Sequence, residues 1–152
     1  MTIKAIETRY AGCRFRSRTE ARWGVALDHL GITWEYEAQG FQLTSGARYL
    51  PDFRLPELNL FLEIKGTDPS AKDLSKVREF AVAAKENGHV VLMLIGDIPR
   101  PDSVQIPARA FLVRGGQHVR DVVTQWKPAG PDRMREALTA ARSARFEFGE
   151  SG

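Results

Sequence analysis

The chain alternates between two hydrophobic periods, and each change of period marks an element. Over residues 17–31, SRTEARWGVALDHLG, the apolar positions Trp23, Leu27 and Leu30 recur at helical spacing, which predicts an amphipathic helix. Ser17 and Glu20 form a capping-box pattern at its start, and Gly31 suits its C-terminal stop. Glu20 falls on the apolar face, one turn before Trp23. The stretch ITWEYEAQGFQL alternates apolar and polar positions, predicting a strand, a turn at Gly40 and a further short strand. YLPDFRLPELNLFLEIKG, residues 49–66, predicts a hairpin with its turn over 56–59. In DPSAKDLSKVREFAVAAKENG, Leu74, Val77, Ala81 and Ala84 make a helical stripe between Asp-Pro and Asn-Gly. The unbroken apolar run HVVLMLIG that follows predicts a strand buried on both faces and parallel to its neighbour.

Beyond that run the pattern weakens. DIPRPDSVQIPA holds three prolines and predicts a loop. RAFLVRGGQHVRDVVTQW fits a short strand and a Gly-Gly turn, then either a helix or a strand. PAGPDRMREALTAARSARFEF predicts a third helix with Met134, Leu138 and Ala141 as its core stripe. The order is helix, three strands, helix, strand, then an appendage, which describes an α/β domain with a small mixed β-sheet flanked by helices. A length of 152 residues predicts one domain.

Composition narrows the function classes. With 43% hydrophobic and 27% charged residues the chain has the make-up of a soluble globular protein. Cys13 is its sole cysteine, which excludes an internal disulfide and a cysteine metal cluster and fits a reducing, cytoplasmic home. No stretch reaches the roughly 18 apolar residues of a membrane span, and MTIKAIETRYAG lacks the apolar run of a signal peptide. The formal charge is +3, but the first 22 residues carry six basic side chains against two acidic ones. A basic N-terminal end suits a polyanion such as nucleic acid, and a solvated face is the plainer alternative.

The hairpin carries the chemistry. With Leu55 opposite Leu60, the register sets Arg54 opposite Phe61 and Asp52 opposite Glu63. Leu60, Leu62 and Ile64 then point to the core, and Phe61, Glu63 and Lys65 point to the other face together with Asp52. Two like charges about 4 Å apart repel by roughly 4 kcal/mol at an effective dielectric near 20. Lys65 offsets part of that, and a divalent cation taking hard oxygen donors offsets more. The backbone carbonyl of Ile64, between Glu63 and Lys65, suits the same ion. An ion flanked by an ammonium suits phosphodiester hydrolysis. The alternative is an ordinary surface hairpin with solvated ion pairs.

The segment PDF, eleven residues and EIK, from Pro51 to Lys65, resembles the PD-(D/E)XK nuclease superfamily. FRSRTEARWGVALDHLGITWEYE is similar to the lead-in of the small phage-type and TnsA-like nucleases of that group. The resemblance covers about residues 14–96 and leaves 97–152 as a C-terminal extension. It implies a restriction-endonuclease-like core and a Mg2+-dependent deoxyribonuclease, with Mn2+ as a substitute ion. Asp52 and Glu63 would be metal ligands, Lys65 the catalytic lysine, and Glu20 the first-helix glutamate that joins the site. Glu20 also has a structural reading, as the capping partner of Ser17, and the two roles are compatible. DNA is the implied partner, with a second copy of the chain or a protein partner where both strands are cut, in the cytoplasm (the host's, for a phage protein). Arg14 and Arg16 ahead of the first helix, and Lys72 and Lys76 on one face of the second, are candidates for phosphate contacts. His29, His89 and His118 lack metal-ligand spacing. The competing function is a non-catalytic nucleic-acid-binding or interaction module on the same scaffold.

Overall fold

The structure is a computed structural model, and it describes residues 8–98, 100, 109–114, 117–119 and 130–144. The described elements are β1 (Thr8–Tyr10), β2 (Cys13–Phe15), α1 (Arg18–His29), β3 (Glu35–Tyr36), β4 (Phe41–Gln42), β5 (Arg48–Tyr49), β6 (Phe53–Leu55), β7 (Leu60–Lys65), α2 (Ala71–Glu86), β8 (Val90–Ile95), β9 (Arg109–Arg114), β10 (Gln117–Val119) and α3 (Gly130–Ser143). They make a mixed α/β protein. Most of the proline-rich segment expected to be a loop, and the part of the third expected helix beyond 144, lie outside the described residues. The chain divides into two compact units, one holding β1, β2, α1 and α3, the other running from Thr33 to Gly96 and including β9 and β10.

In the first unit β1 and β2 pair antiparallel across Ala11 and Gly12, both with positive φ. Ser17 caps α1 as its sequence predicts: its hydroxyl accepts the Glu20 N–H at 3.2 Å and donates to Glu20 Oε1 at 3.1 Å. Burial on α1 extends past the expected stripe of Trp23, Leu27 and Leu30 to Ala21, Gly24, Val25 and Ala26. α1 packs on α3, whose Ala137, Leu138 and Ala141 are buried.

The second unit is built on a six-stranded sheet of order β10-β9-β8-β7-β6-β3. β6 and β7 form the expected hairpin, with Leu55 opposite Leu60, Arg54 opposite Phe61 and Phe53 opposite Leu62. Its turn is a single 3-10 turn over Pro56–Leu58, closed by Asn59 in the left-handed conformation at φ 49°. β8 lies parallel to β7 in register Leu60 with Val90 through Lys65 with Ile95, the arrangement its continuous apolar run predicts. The undecided segment after residue 108 supplies two strands: β9 antiparallel to β8, and β10 antiparallel to β9. β4 and β5 pair with each other in a hairpin outside the main sheet, an excursion between β3 and β6.

The burial of β7 weighs against the alternative of an ordinary surface hairpin. Phe61 and Glu63 do not face solvent. β7 lies between β6 and β8, and its first five residues are all buried. Phe61 joins Val77, Phe80, Ala81 and Ala84 of α2, with Val91, Met93 and Ile95 of β8, in one hydrophobic cluster that also takes in Leu43 and Tyr49. Alternation fixed which residues share a face, but the cover that α2 provides is a long-range contact that period two does not encode.

α2 starts in a full capping box, with Ser70 accepting the Asp73 N–H and Asp73 accepting the Ser70 N–H. Two substitutions calibrate this unit in chemical denaturation. Phe53→Ala, at a fully buried position, is expected to cost about 3–5 kcal/mol of stability, whereas Ser70→Ala costs about 1 kcal/mol.

Candidate metal centre

Pro51, opposite Ile64 in the hairpin register, has no N–H to offer the Ile64 carbonyl, and the β6–β7 pairing ends at Phe53 and Leu62. The next N–H on β7 that needs a partner on this side belongs to Ile64. It donates to Asp52 Oδ2 at 2.7 Å in a buried setting. The Asp52 side chain thus stands in for the missing rung, and its carboxylate is fixed at the end of the hairpin. Its backbone carbonyl accepts the Glu37 N–H at 2.9 Å. Glu37 takes a left-handed conformation, φ 45°, uncommon for a residue with a side chain. Carboxylate oxygens of Glu37 and Asp52 lie within 4.8 Å of each other.

Glu63 is buried one residue before Ile64 and meets a different set of groups. Tyr49 Oη donates to its Oε2 at 2.6 Å, and Lys65 Nζ lies 3.4 Å from its Oε1. Burial pushes the Glu63 carboxyl above the usual range; the Tyr49 hydroxyl, the Lys65 ammonium and the Asp52 backbone N–H pull the other way without cancelling it. Burial, with the Glu63 charge second, pushes the Tyr49 hydroxyl far above its ordinary value. Glu63 is not in the grouping that joins Glu37 to Asp52.

The other expected site residues fall as follows. Lys65 is partly exposed at the end of β7. Burial acts to raise the Asp73 carboxyl, but the Ser70 hydroxyl and N–H and the Lys65 and Lys76 ammoniums together hold it below the usual range. Lys76 thus shares a neighbour with Lys65. Lys72 is exposed in the first turn of α2. Glu20, Arg14 and Arg16 belong to the first unit; Glu20 is buried with Ser17 on its carboxylate, and the two arginines are exposed. Ile64 contributes its N–H to Asp52, a role the sequence reading, which considered its carbonyl, did not include. Two further residues were not singled out: Glu37, in the alternating stretch after the first helix, and Tyr49, at the start of the hairpin segment. Nothing local marks either, because each acquires its partner through the tertiary fold.

In the same unit a cavity of about 570 Å³ is lined by Phe41, Phe61, Phe80, Pro51, Arg54 and His89 among others. Asp52, Glu63 and Lys65 do not line it.

The donor set around Asp52 is made of carboxylate oxygens, the ligands that Mg2+ and Mn2+ take. On donor chemistry, then, these residues fit such an ion.

The Glu63 shift has a measurable consequence. A carboxyl raised in the folded state binds its proton more tightly there than in the unfolded chain. Its stabilising contribution is full below the unfolded value near about 4.3 and is lost as pH rises through the higher folded value. Metal-free unfolding followed against pH should show this decline, and Glu63→Gln should flatten it over that window. No protein-family model matches the chain, and no curated protein matches it.

Proposed function

We propose that this protein is a metal-dependent nuclease that hydrolyses DNA phosphodiester bonds, on a restriction-endonuclease-like core. The observation that carries the proposal is the Asp52 carboxylate pinned to the Ile64 N–H, between Glu63 and Lys65 in sequence. The order α1, β3, β6, β7, α2, β8 supports it, since it is the expected helix, three strands, helix and strand once the β4–β5 excursion is set aside. The PD-(D/E)XK resemblance adds the residue types at those positions.

In this reading Asp52 and Glu63 hold a Mg2+ or Mn2+ ion, with the Ile64 carbonyl, and Glu37 is added as a further oxygen donor. A bound ion supplies polarisation of the scissile phosphate, a lower pKa for a bound water and charge neutralisation at the leaving oxygen. Asp52 needs no reorganisation to act, because its orientation is set by a backbone N–H. Lys65 holds its ammonium beside Glu63 and donates to a phosphate oxygen as negative charge builds there. Lys72 and Lys76 on α2, with Arg14 and Arg16 of the first unit, would carry phosphate contacts. Glu20 keeps the role the resemblance implies, as an expectation that its own variant tests. Among the described residues no helix is long and apolar enough to cross a membrane.

A second reading has one observation in its favour. Both Glu63 oxygens already have protein partners, Tyr49 and Lys65, so the buried acid is compensated without an ion. The protein would then be a binding module on a nuclease-like scaffold, with salt-sensitive DNA binding and no metal-dependent turnover.

Incubation with linear, circular and branched DNA in millimolar Mn2+ separates the two. The nuclease reading expects cleavage that chelation abolishes, and a fall of about 10²–10⁴-fold in Asp52→Asn, Glu63→Gln and Lys65→Ala. Glu37→Gln and Glu20→Gln are expected to weaken the metal dependence. Cleavage that persists undiminished in all of the first three variants would defeat the assignment. Binding without turnover would favour the module.

A further inference from the structure

We infer that Tyr49 sets the ion selectivity of the proposed site, by keeping one oxygen of Glu63 out of coordination and so favouring Mg2+ or Mn2+ over Ca2+. The inference rests on the reading of Glu63 as a metal ligand and adds a residue that reading did not contain.

The two oxygens of Glu63 are not equivalent. Oε2 accepts the Tyr49 hydroxyl at 2.6 Å inside the core, within the range of strong bonds to a charged acceptor, about 2.5–2.7 Å. Oε1 meets the Lys65 ammonium at 3.4 Å, well outside the roughly 2.7–2.9 Å of a strong charge-assisted contact. Lys65 is also the partly exposed member of that pair, at 28% against 7%. An arriving cation competes far more easily for Oε1, where it replaces a loosely held charge, than for Oε2.

Tyr49 is also held rigidly enough to enforce this. Its backbone pairs with Phe41 in the β4–β5 hairpin. Its ring packs against Phe80 of α2 at a centroid distance of 4.8 Å, and the residue is buried in the cluster that α2 covers. The hydroxyl cannot swing to follow a rotating carboxylate.

Glu63 is thereby restricted to one available oxygen. Mg2+ demands near-octahedral geometry at about 2.0–2.1 Å from single oxygens, whereas Ca2+ takes about 6–8 oxygens and readily uses a carboxylate in bidentate fashion. A glutamate with one oxygen committed elsewhere suits the smaller ion. The same exchange at Oε1 releases Lys65 from Glu63, which frees its ammonium for a phosphate oxygen. Tyr49 is a positioning residue: it acts through Glu63 and touches neither ion nor substrate.

The test is calorimetric titration of the full chain with Mn2+, Mg2+ and Ca2+, for the wild type, Tyr49→Phe and Leu138→Val, with metal-free melting of each. Tyr49→Phe should lose about 10- to 100-fold in Mn2+ and Mg2+ affinity while Ca2+ affinity holds or rises. Leu138→Val, which loosens packing at a buried position of α3 and leaves Tyr49 and its packing untouched, should lower the melting midpoint and leave the ion ratio unchanged. An unchanged Mn2+ to Ca2+ ratio in Tyr49→Phe would overturn the selectivity role while leaving the metal site standing. Wild-type protein that prefers Ca2+ would overturn it without any variant. Wild-type protein that binds none of the three ions would sink the metal reading and this inference with it.

Discussion

One hydrogen bond organises the end of the hairpin: the Ile64 N–H on the Asp52 carboxylate. A buried backbone donor without a partner is costly, by roughly 1–3 kcal/mol. The β6–β7 pairing has ended by this point, and the side chain of Asp52 supplies the acceptor. The chain thus turns a break in its own sheet into a fixed carboxylate. The Asp52 carbonyl, in turn, anchors Glu37, so two acidic residues from separate parts of the sequence meet there.

A second constraint is the burial of Glu63. An isolated ionised carboxylate in an apolar interior is strongly disfavoured, and Glu63 sits between Phe61 and Lys65 on a strand that α2 covers on that side. Three donors answer that cost: the Tyr49 hydroxyl, the Lys65 ammonium and the Asp52 N–H. They leave the carboxyl raised but tied down. The hydrophobic cluster therefore has a polar edge, and the aromatic packing of Tyr49 on Phe80 connects core stability to the orientation of the acid. A site built this way has little freedom to rearrange, which suits preorganised binding of charge.

The proposed nuclease chemistry draws on both constraints. Asp52 supplies an oriented carboxylate, Glu63 a buried one, and Lys65 a partly exposed ammonium that shares its neighbourhood with Lys76 through Asp73. The binding-module alternative uses the same three residues but reads the donors around Glu63 as the whole answer to its charge. The difference lies in whether a cation displaces Lys65 from Oε1.

Much of this architecture was legible without coordinates because it is local. Ser17 caps its helix, and the turn at 56–59 fixes the hairpin register three pairs deep. The apolar run of β8 makes a parallel neighbour of β7. These follow from backbone hydrogen-bond needs and from periods of 2 and 3.6, which a sequence carries directly. What only the tertiary structure decided depends on residues far apart in the chain. Alternation says that Phe61 and Glu63 share a face, but not that α2 seals it; that takes Val77, Phe80, Ala81 and Ala84 arriving after a crossover. The register put Asp52 across from Glu63, yet the pairing stops one residue short, and the aspartate turns to the Ile64 N–H instead. Glu37 and Tyr49 carry no local signal at all, since a left-handed turn after β3 and a hydroxyl reaching across from β5 gain their meaning only when the strands are assembled.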